Sequence, residues 1–159
     1  MKGIYVVTSK SLCRRKFMIT TWYKDGLIHT DDDHPSICHS TGSKFWHKNG
    51  VLHRDNGPAI MRVSGTREWW VNGQLHRKNK PAVEGHSVNV YYKHGLLHRI
   101  DGPAVDHKNS GGLDLYAING DALDTEEVNE WINNHKVDLS TEFGKFLFVL
   151  RFSDFSDDD

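Results

Sequence analysis

The sequence predicts a mainly β chain: an antiparallel meander of β-hairpin repeats, about four to five of 22–25 residues each, capped by two C-terminal helices. Three observations predict it. One motif, aromatic-x-x-x-Gly-x-Leu-His-Arg-x-x-Gly-Pro-Ala, is written several times at nearly constant spacing. Each copy carries two chain-reversal signals. Past residue 123 the apolar period changes from strand-like to helical.

The copies align on their turn glycines. They are "WYKDGLIHTDDDHPSI" from Trp22, "WHKNGVLHRDNGPAI" from Trp46, "WWVNGQLHRKNKPAV" from Trp69 and "YYKHGLLHRIDGPAV" from Tyr91. A degenerate fifth copy, "YAINGDALDTEEV", begins at Tyr116. Gly26, Gly50, Gly73, Gly95 and Gly120 lie 24, 23, 22 and 25 residues apart. A period in this range marks a repeat array, in which a unit too small to bury its own apolar face stacks on its neighbour. The expected division is an N-terminal strand and cap over 1–21, the repeats over 22–122, a helical cap over 123–152 and an acidic tail over 153–159.

Within a copy, "KNG", "VNG" and "KDG" are tight hairpin turns, which need positive φ at both central residues. "KHG" is the weaker form. The aromatic run before the turn and the "LHR" run after it are therefore strands. "DNGP" and "IDGP" reverse the chain again, with Pro fixing its own φ and holding its predecessor extended. In the third copy Lys80 replaces the second glycine, which conflicts with any need for positive φ there. "PAIMRV" is a third extended piece, and Ser64-Gly65 turns it into "REWWV". Alternation along that run puts Arg67, Trp69 and Val71 on one face and Glu68 and Trp70 on the other. The outer copies are eroded, as capping units are: Thr30 stands for Arg and Ser36 for Ala in the first, and the fifth has Leu123-Asp124 for His-Arg.

In "DTEEVNEWINNHKVD", Asp124 or Thr125 is the expected N-cap, and Glu126 and Glu127 suit the positive end of the helix dipole. Val128, Trp131, Ile132 and His135 share a face. A second helix is expected in "STEFGKFLFVLRF", capped by Ser140 or Thr141, with Phe143, Phe146, Leu147 and Leu150 as its apolar face. The pair would cover the open edge of the last repeat.

Composition narrows the function classes. The chain has 159 residues, 37% hydrophobic and 26% charged, with formal net charge -1. The four Asp of "SDFSDDD" account for the sign, since the rest stands at +3. Duplex nucleic acid is an unfavoured partner, because affinity for it requires many uncompensated cations. No window approaches a membrane span, and the opening residues lack the apolar core of a signal peptide. Two cysteines, Cys13 and Cys38, then read as thiols of a reducing, cytoplasmic compartment. Cys13 lies beside Arg14, Arg15 and Lys16, a setting that lowers a thiol pKa, but a charged strand end is the preferred reading.

The candidate binding residues are the repeated ones: Trp46, His53, Arg54, Trp69, Trp70, His76, Arg77, Tyr91, Tyr92, His98 and Arg99. Neighbours on a strand point to opposite faces, so the three His should form one row and the three Arg another. The structural reading has each His donating to a backbone carbonyl or resting on the next aromatic. Each Arg would pair with Asp55, Asp101 or Glu84, or stack on a ring. The alternative is a ladder of free guanidiniums and rings that takes phosphates. The eleven His include a loop cluster of His29, His34, Cys38 and His39 with Asp31, Asp32 and Asp33. It lacks the second anchoring pair of a metal site. No G-x-S-x-G elbow, Cys-x-x-Cys pair or phosphate-cradling glycine loop occurs. No cofactor, metal or catalytic residue is assigned.

The aromatic-x-x-x-Gly hairpin at this period resembles the MORN repeat family, and more closely its bacterial and phage variants. The form "NGxLHRxxGPA" is similar to repeats in proteins of tailed bacteriophages and large DNA viruses, as is the closing "INGDALDTEEVNEWI". The resemblance runs from about Trp22 to Ile132. It implies a non-enzymatic binding and assembly module. It further implies a phage accessory protein in the host cytoplasm that binds, modulates or inhibits a host protein, such as a defence or transcription component. The alternative is a sponge for a phosphorylated small molecule or nucleotide, held by repeat Arg and aromatic residues. A homodimer through an open strand edge is compatible with either.

Overall fold

The structure, a computed structural model, describes residues 4–10, 18–108 and 111–153. Cys13 with its basic neighbours, and the acidic tail from 154 onward, lie outside the described residues. The chain is mainly β, with two helices at its C-terminal end.

Each repeat contributes to two rows of strands. The first row is one antiparallel sheet. Its path runs Ile4–Lys10, Met18–Lys24, Ile37–His39, Lys44–Phe45, Ile60–Met61, Arg67–Glu68, Val83–Glu84, Asn89–Val90 and Val105–Asp106, always to the next neighbour. The second row consists of two-stranded hairpins at the Gly turns: His47–Lys48 with Val51–Leu52, Trp70–Val71 with Gln74–Leu75, Tyr92–Lys93 with Leu96–Leu97, and Ala117–Ile118 with Asp121–Ala122. In the first copy the hairpin strand Leu27–Ile28 still pairs with the long strand Met18–Lys24.

This separation corrects the expectation of continuous strands. The run "REWWV" breaks at Trp69, so Glu68 and Trp70 do not share a face of one sheet. Instead Glu68, nearly buried, accepts hydrogen bonds from Trp70 Nε1 (3.1 Å) and Arg62 Nε (2.7 Å). The break has a repeated cause: the aromatic residue bonds to both rows at once. Trp46, Trp69 and Tyr91 donate their N–H to Ala59, Ala82 and Ala104 (2.8 Å each). Their carbonyls accept from the N–H of His53, His76 and His98 (3.1 Å each). The three alanines are fully buried, as is Ser36 in the first copy. The motif therefore carries Ala or Ser here because nothing larger fits.

The turns follow the sequence reading. Asn49, Asn72, His94 and Asn119 have φ of 53°, 50°, 51° and 52°, each followed by a glycine at positive φ. Lys80 does not share this need. In that loop Asn79 takes the positive φ of 55°, and neither Lys80 nor Gly57 lies in the left-handed region. At Gly57 what the glycine provides is room, and at Gly102, with φ 153°, it provides room and backbone freedom together. A Cβ on Gly57 would come within 3.2 Å of the Arg54 guanidinium, and one on Gly102 within 3.0 Å of Arg99 Cζ.

Helix α1 spans Thr125–His135 and is capped by Asp124, which accepts from the N–H of Glu126 and Glu127. Helix α2 spans Glu142–Phe152 and is capped by Thr141. They close the repeat array over a core of Tyr116, Ile118, Val128 and Phe148, bordered by Leu123, Trp131, Ile132 and Phe152. The expected apolar face of α2 is the wrong one. Phe148 is fully buried with Gly144 one turn before it, whereas Phe143, Phe146 and Leu150 are 70%, 60% and 54% exposed. Gly144 decides the rotation of the helix: it is the one residue small enough to sit against the Asp138 carbonyl.

Candidate functional site: the repeat ladders and the face they leave open

The His row joins each repeat to the next. His29 Nδ1 accepts from the backbone N–H of Asn49, His53 from Asn72, His76 from His94 and His98 from Asn119, at 2.9–3.1 Å. Each acceptor meets the residue of left-handed φ in the following turn. The expected polarity is thus reversed: the imidazole accepts from an N–H rather than donating to a carbonyl. An accepting Nδ1 leaves the proton on Nε2. That nitrogen faces Asp31 in His29 (3.1 Å) and Asp55 in His53 (2.9 Å). Burial pushes the pKa of His76 and His98 down, and the positive charge of Lys93 pushes both the same way; in His76 the neighbouring His94 adds to this. Both therefore favour the neutral ring that the acceptor role requires.

Backbone bonds reinforce the join. The N–H of Gly50, Gly73, Gly95 and Gly120 donates to Ile28, Leu52, Leu75 and Leu97 of the preceding hairpin, at 2.8–2.9 Å. Arg54, Arg77 and Arg99 donate their own N–H forward to Trp70, Tyr92 and Ala117.

The Arg row is used by the fold, chiefly within its own repeat, with one pair that reaches the copy before. Arg54 lies over Trp46 with Cζ 3.9 Å from the ring centroid, Arg77 over Trp69 at 3.6 Å and Arg99 over Tyr91 at 4.0 Å. In each, Nη1 donates to the carbonyl of the loop proline, Pro58, Pro81 or Pro103. Each also meets an acid. Arg54 makes a two-pronged pair with Asp33, both bonds 2.7 Å, rather than with the sequence-adjacent Asp55, which serves His53. Arg77 pairs with Glu84, and Arg99 with Asp101 and, more distantly, Asp106. Their side chains are only 15%, 22% and 19% exposed. The guanidiniums are spent on the fold and are not a free ladder for a guest.

The residues singled out from sequence therefore divide. Trp46, His53, Arg54, Trp69, Arg77 and Arg99 are joints of the repeat. Trp70 bonds to Glu68. His76, Arg77, Tyr91, Tyr92, His98 and Arg99 also border a groove between the third and fourth copies. The His29, His34, Cys38 and His39 cluster is not drawn into a metal site. Among the described residues no group of three or more His, Cys, Asp or Glu is placed to hold an ion, and His29 is committed to Asn49 and Asp31. Sequence reasoning missed the outward face of α2. Only the burial of Phe148 opposite Phe143 and Phe146 reveals it.

Comparison with protein-family models, curated proteins and solved structures returned no match. Among the described residues no helix is long and apolar enough to cross a membrane.

Proposed function

We propose that this chain is a non-enzymatic repeat scaffold that binds a protein, with the outer face of α2 as its contact. In line with the resemblance of its repeats, we further propose a phage accessory protein whose partner is a host protein that it modulates or inhibits. One observation carries the binding reading. Phe143, Phe146 and Leu150 stand on one side of a helix whose other side is anchored by Phe148. Apolar side chains at i, i+3 and i+7 are the pattern by which a helix enters a groove on a partner. Aromatic residues, Phe among them, are enriched in protein interfaces. The repeats favour a holding role as well. Their His and Arg atoms are taken up by joints, which leaves the array a stiff support rather than a set of reacting groups.

The test is affinity capture from host lysate with wild type and with Phe143→Ser/Phe146→Ser, both verified as folded by circular dichroism. The expected result is one partner at stoichiometric yield with wild type and its loss with the double variant. Equal capture by both, or no protein partner with wild type, would overturn the proposal.

A further inference from the structure

Two grooves between repeats are built alike but charged oppositely. In each, the loop after the His of one copy faces the hairpin of the next. Between the first and second copies this groove is about 170 Å³ and is lined by Asp31, Asp32, Asp33 and Asp55 against Lys48 and Arg54. Between the third and fourth copies it is about 610 Å³, and α2 supplies a further wall through Glu142 and Lys145. Here six Lys and Arg side chains face two carboxylates. Both carboxylates are already engaged, Asp101 with Arg99 and Glu142 with Lys145. Arg77 pairs with Glu84 outside the groove. Lys78, Lys80 and Lys93 are left, and among the described residues they make no ion pair.

The excess comes from a departure in one copy. The loop reads "RDNGPA" in the second copy, "RIDGPA" in the fourth and "RKNKPA" in the third. Lys80 gives its loop no backbone advantage, since Asn79 carries the left-handed residue. Lys78 replaces the position of Asp55, which in the second copy serves His53. Two ammonium groups thus enter where the fold asks for neither, and they face a third, Lys93, across a concave space. Like charges gathered this way repel one another until an anion joins them.

We propose that this groove is a binding site for a small molecule bearing two or more phosphate groups, held by Lys78, Lys80 and Lys93. The volume suits a small ligand. Tyr92 offers a ring on the wall, and His76 and His98 offer polar edges. A nucleic-acid strand fits less well. Following the repeats, it would leave the basic groove and meet the acidic one between the first two copies. The site is separate from the outer face of α2, so each proposal stands or fails without the other.

Isothermal titration with sodium tripolyphosphate on the intact chain tests it. Lys78→Asp/Lys80→Gly rewrites the loop as the second copy has it, so the variant should fold like wild type, which a melting curve verifies. Saturable 1:1 binding is expected for wild type. Removing two charge-assisted contacts should weaken it by about tenfold or more. Lys93→Gln should weaken it in the same direction. Failure of wild type to bind, or unchanged binding by the folded loop variant, would overturn the proposal. So would tighter binding of polyglutamate or of a single-stranded oligonucleotide than of tripolyphosphate, which would assign the groove to a macromolecule.

Discussion

Replacing Gly144 with Ala should destabilise this protein, although the local rule says the opposite. In an exposed helix interior Ala is better than Gly by about 1 kcal/mol. At Gly144 a Cβ would lie 1.9 Å from the Asp138 carbonyl oxygen, 2.6 Å from its carbon and 3.0 Å from Thr141 Oγ1. The two nearest atoms are backbone, and Thr141 Oγ1 is held by hydrogen bonds on both sides. The Asp138 carbonyl accepts from Thr141 N (3.2 Å) and Thr141 Oγ1 (2.8 Å), and Thr141 Oγ1 caps Gly144 N–H at 3.0 Å. Relief requires moving the loop or tilting α2 away from its core. Overpacking of this kind costs about 1–3 kcal/mol, and loss of the cap about 1 kcal/mol more. Set against the gain in helix propensity, the net loss is about 1–3 kcal/mol. In a chain of this length that lowers Tm by roughly 3–10 °C. Differential scanning calorimetry on the two proteins measures it. A Tm equal to or above that of wild type would refute the reasoning and would mean that α2 does not rest on the Asp138 carbonyl.

Three further outcomes follow from the repeat. His53→Ala removes the acceptor for Asn72 N–H and should cost about 1–2 kcal/mol; a chemical-denaturation midpoint equal to wild type would contradict the joint. Ala82→Val adds two methyls at a fully buried position beside the Trp69 N–H bond; a loss of about 1–3 kcal/mol is expected, and tolerance would show that the two rows can part there. Acidification should lower stability in two stages. Burial holds His47, His76 and His98 below the ordinary 6.5 in the folded chain. The unfolded chain thus takes up protons first, and stability falls as pH drops below that value. Asp31, Asp33 and Asp55 are held below 3.8 by Lys24, Arg54 and His53 respectively, so their contribution disappears only at lower pH. A Tm that stays flat between about pH 7.5 and pH 5.5 would contradict the histidine part.

The period, the hairpin turns and the helix caps are all legible in the sequence because each rests on local chemistry. Asn-Gly sets its turn within two residues, and Asp124 caps a helix whose first N–H groups follow it directly. What is not legible depends on placing one copy against another. Nothing in "LHR" shows that the imidazole reaches an N–H about 20 residues on, or that Arg54 prefers Asp33 of the copy before to Asp55 beside it. The face of α2 is hidden for a different reason. "FGKFLFVLRF" is apolar nearly all round, so helical spacing offers several stripes and cannot rank them. The smallest residue settles it, because the closest approach between helix and loop is possible only at Gly144. The groove charge is readable once copies are compared position by position, since "KNK" stands against "DNG" and "IDG".

The histidine joint runs in one direction. Each of the first four copies lends an acceptor to its successor, and each from the second onward borrows one from its predecessor. The fifth copy borrows through Asn119 and lends nothing: Leu123 stands where the His would be and turns into the helical core, and Asp124 stands where the Arg would be and starts α1. The array therefore has a reading sense and a stop written into the same two positions that propagate it. Its length is a free variable. A further 22-residue unit spliced in after the fourth copy would find a lender before it and the same terminator behind it, and would need an apolar residue at the Ile100 position to meet the helical core.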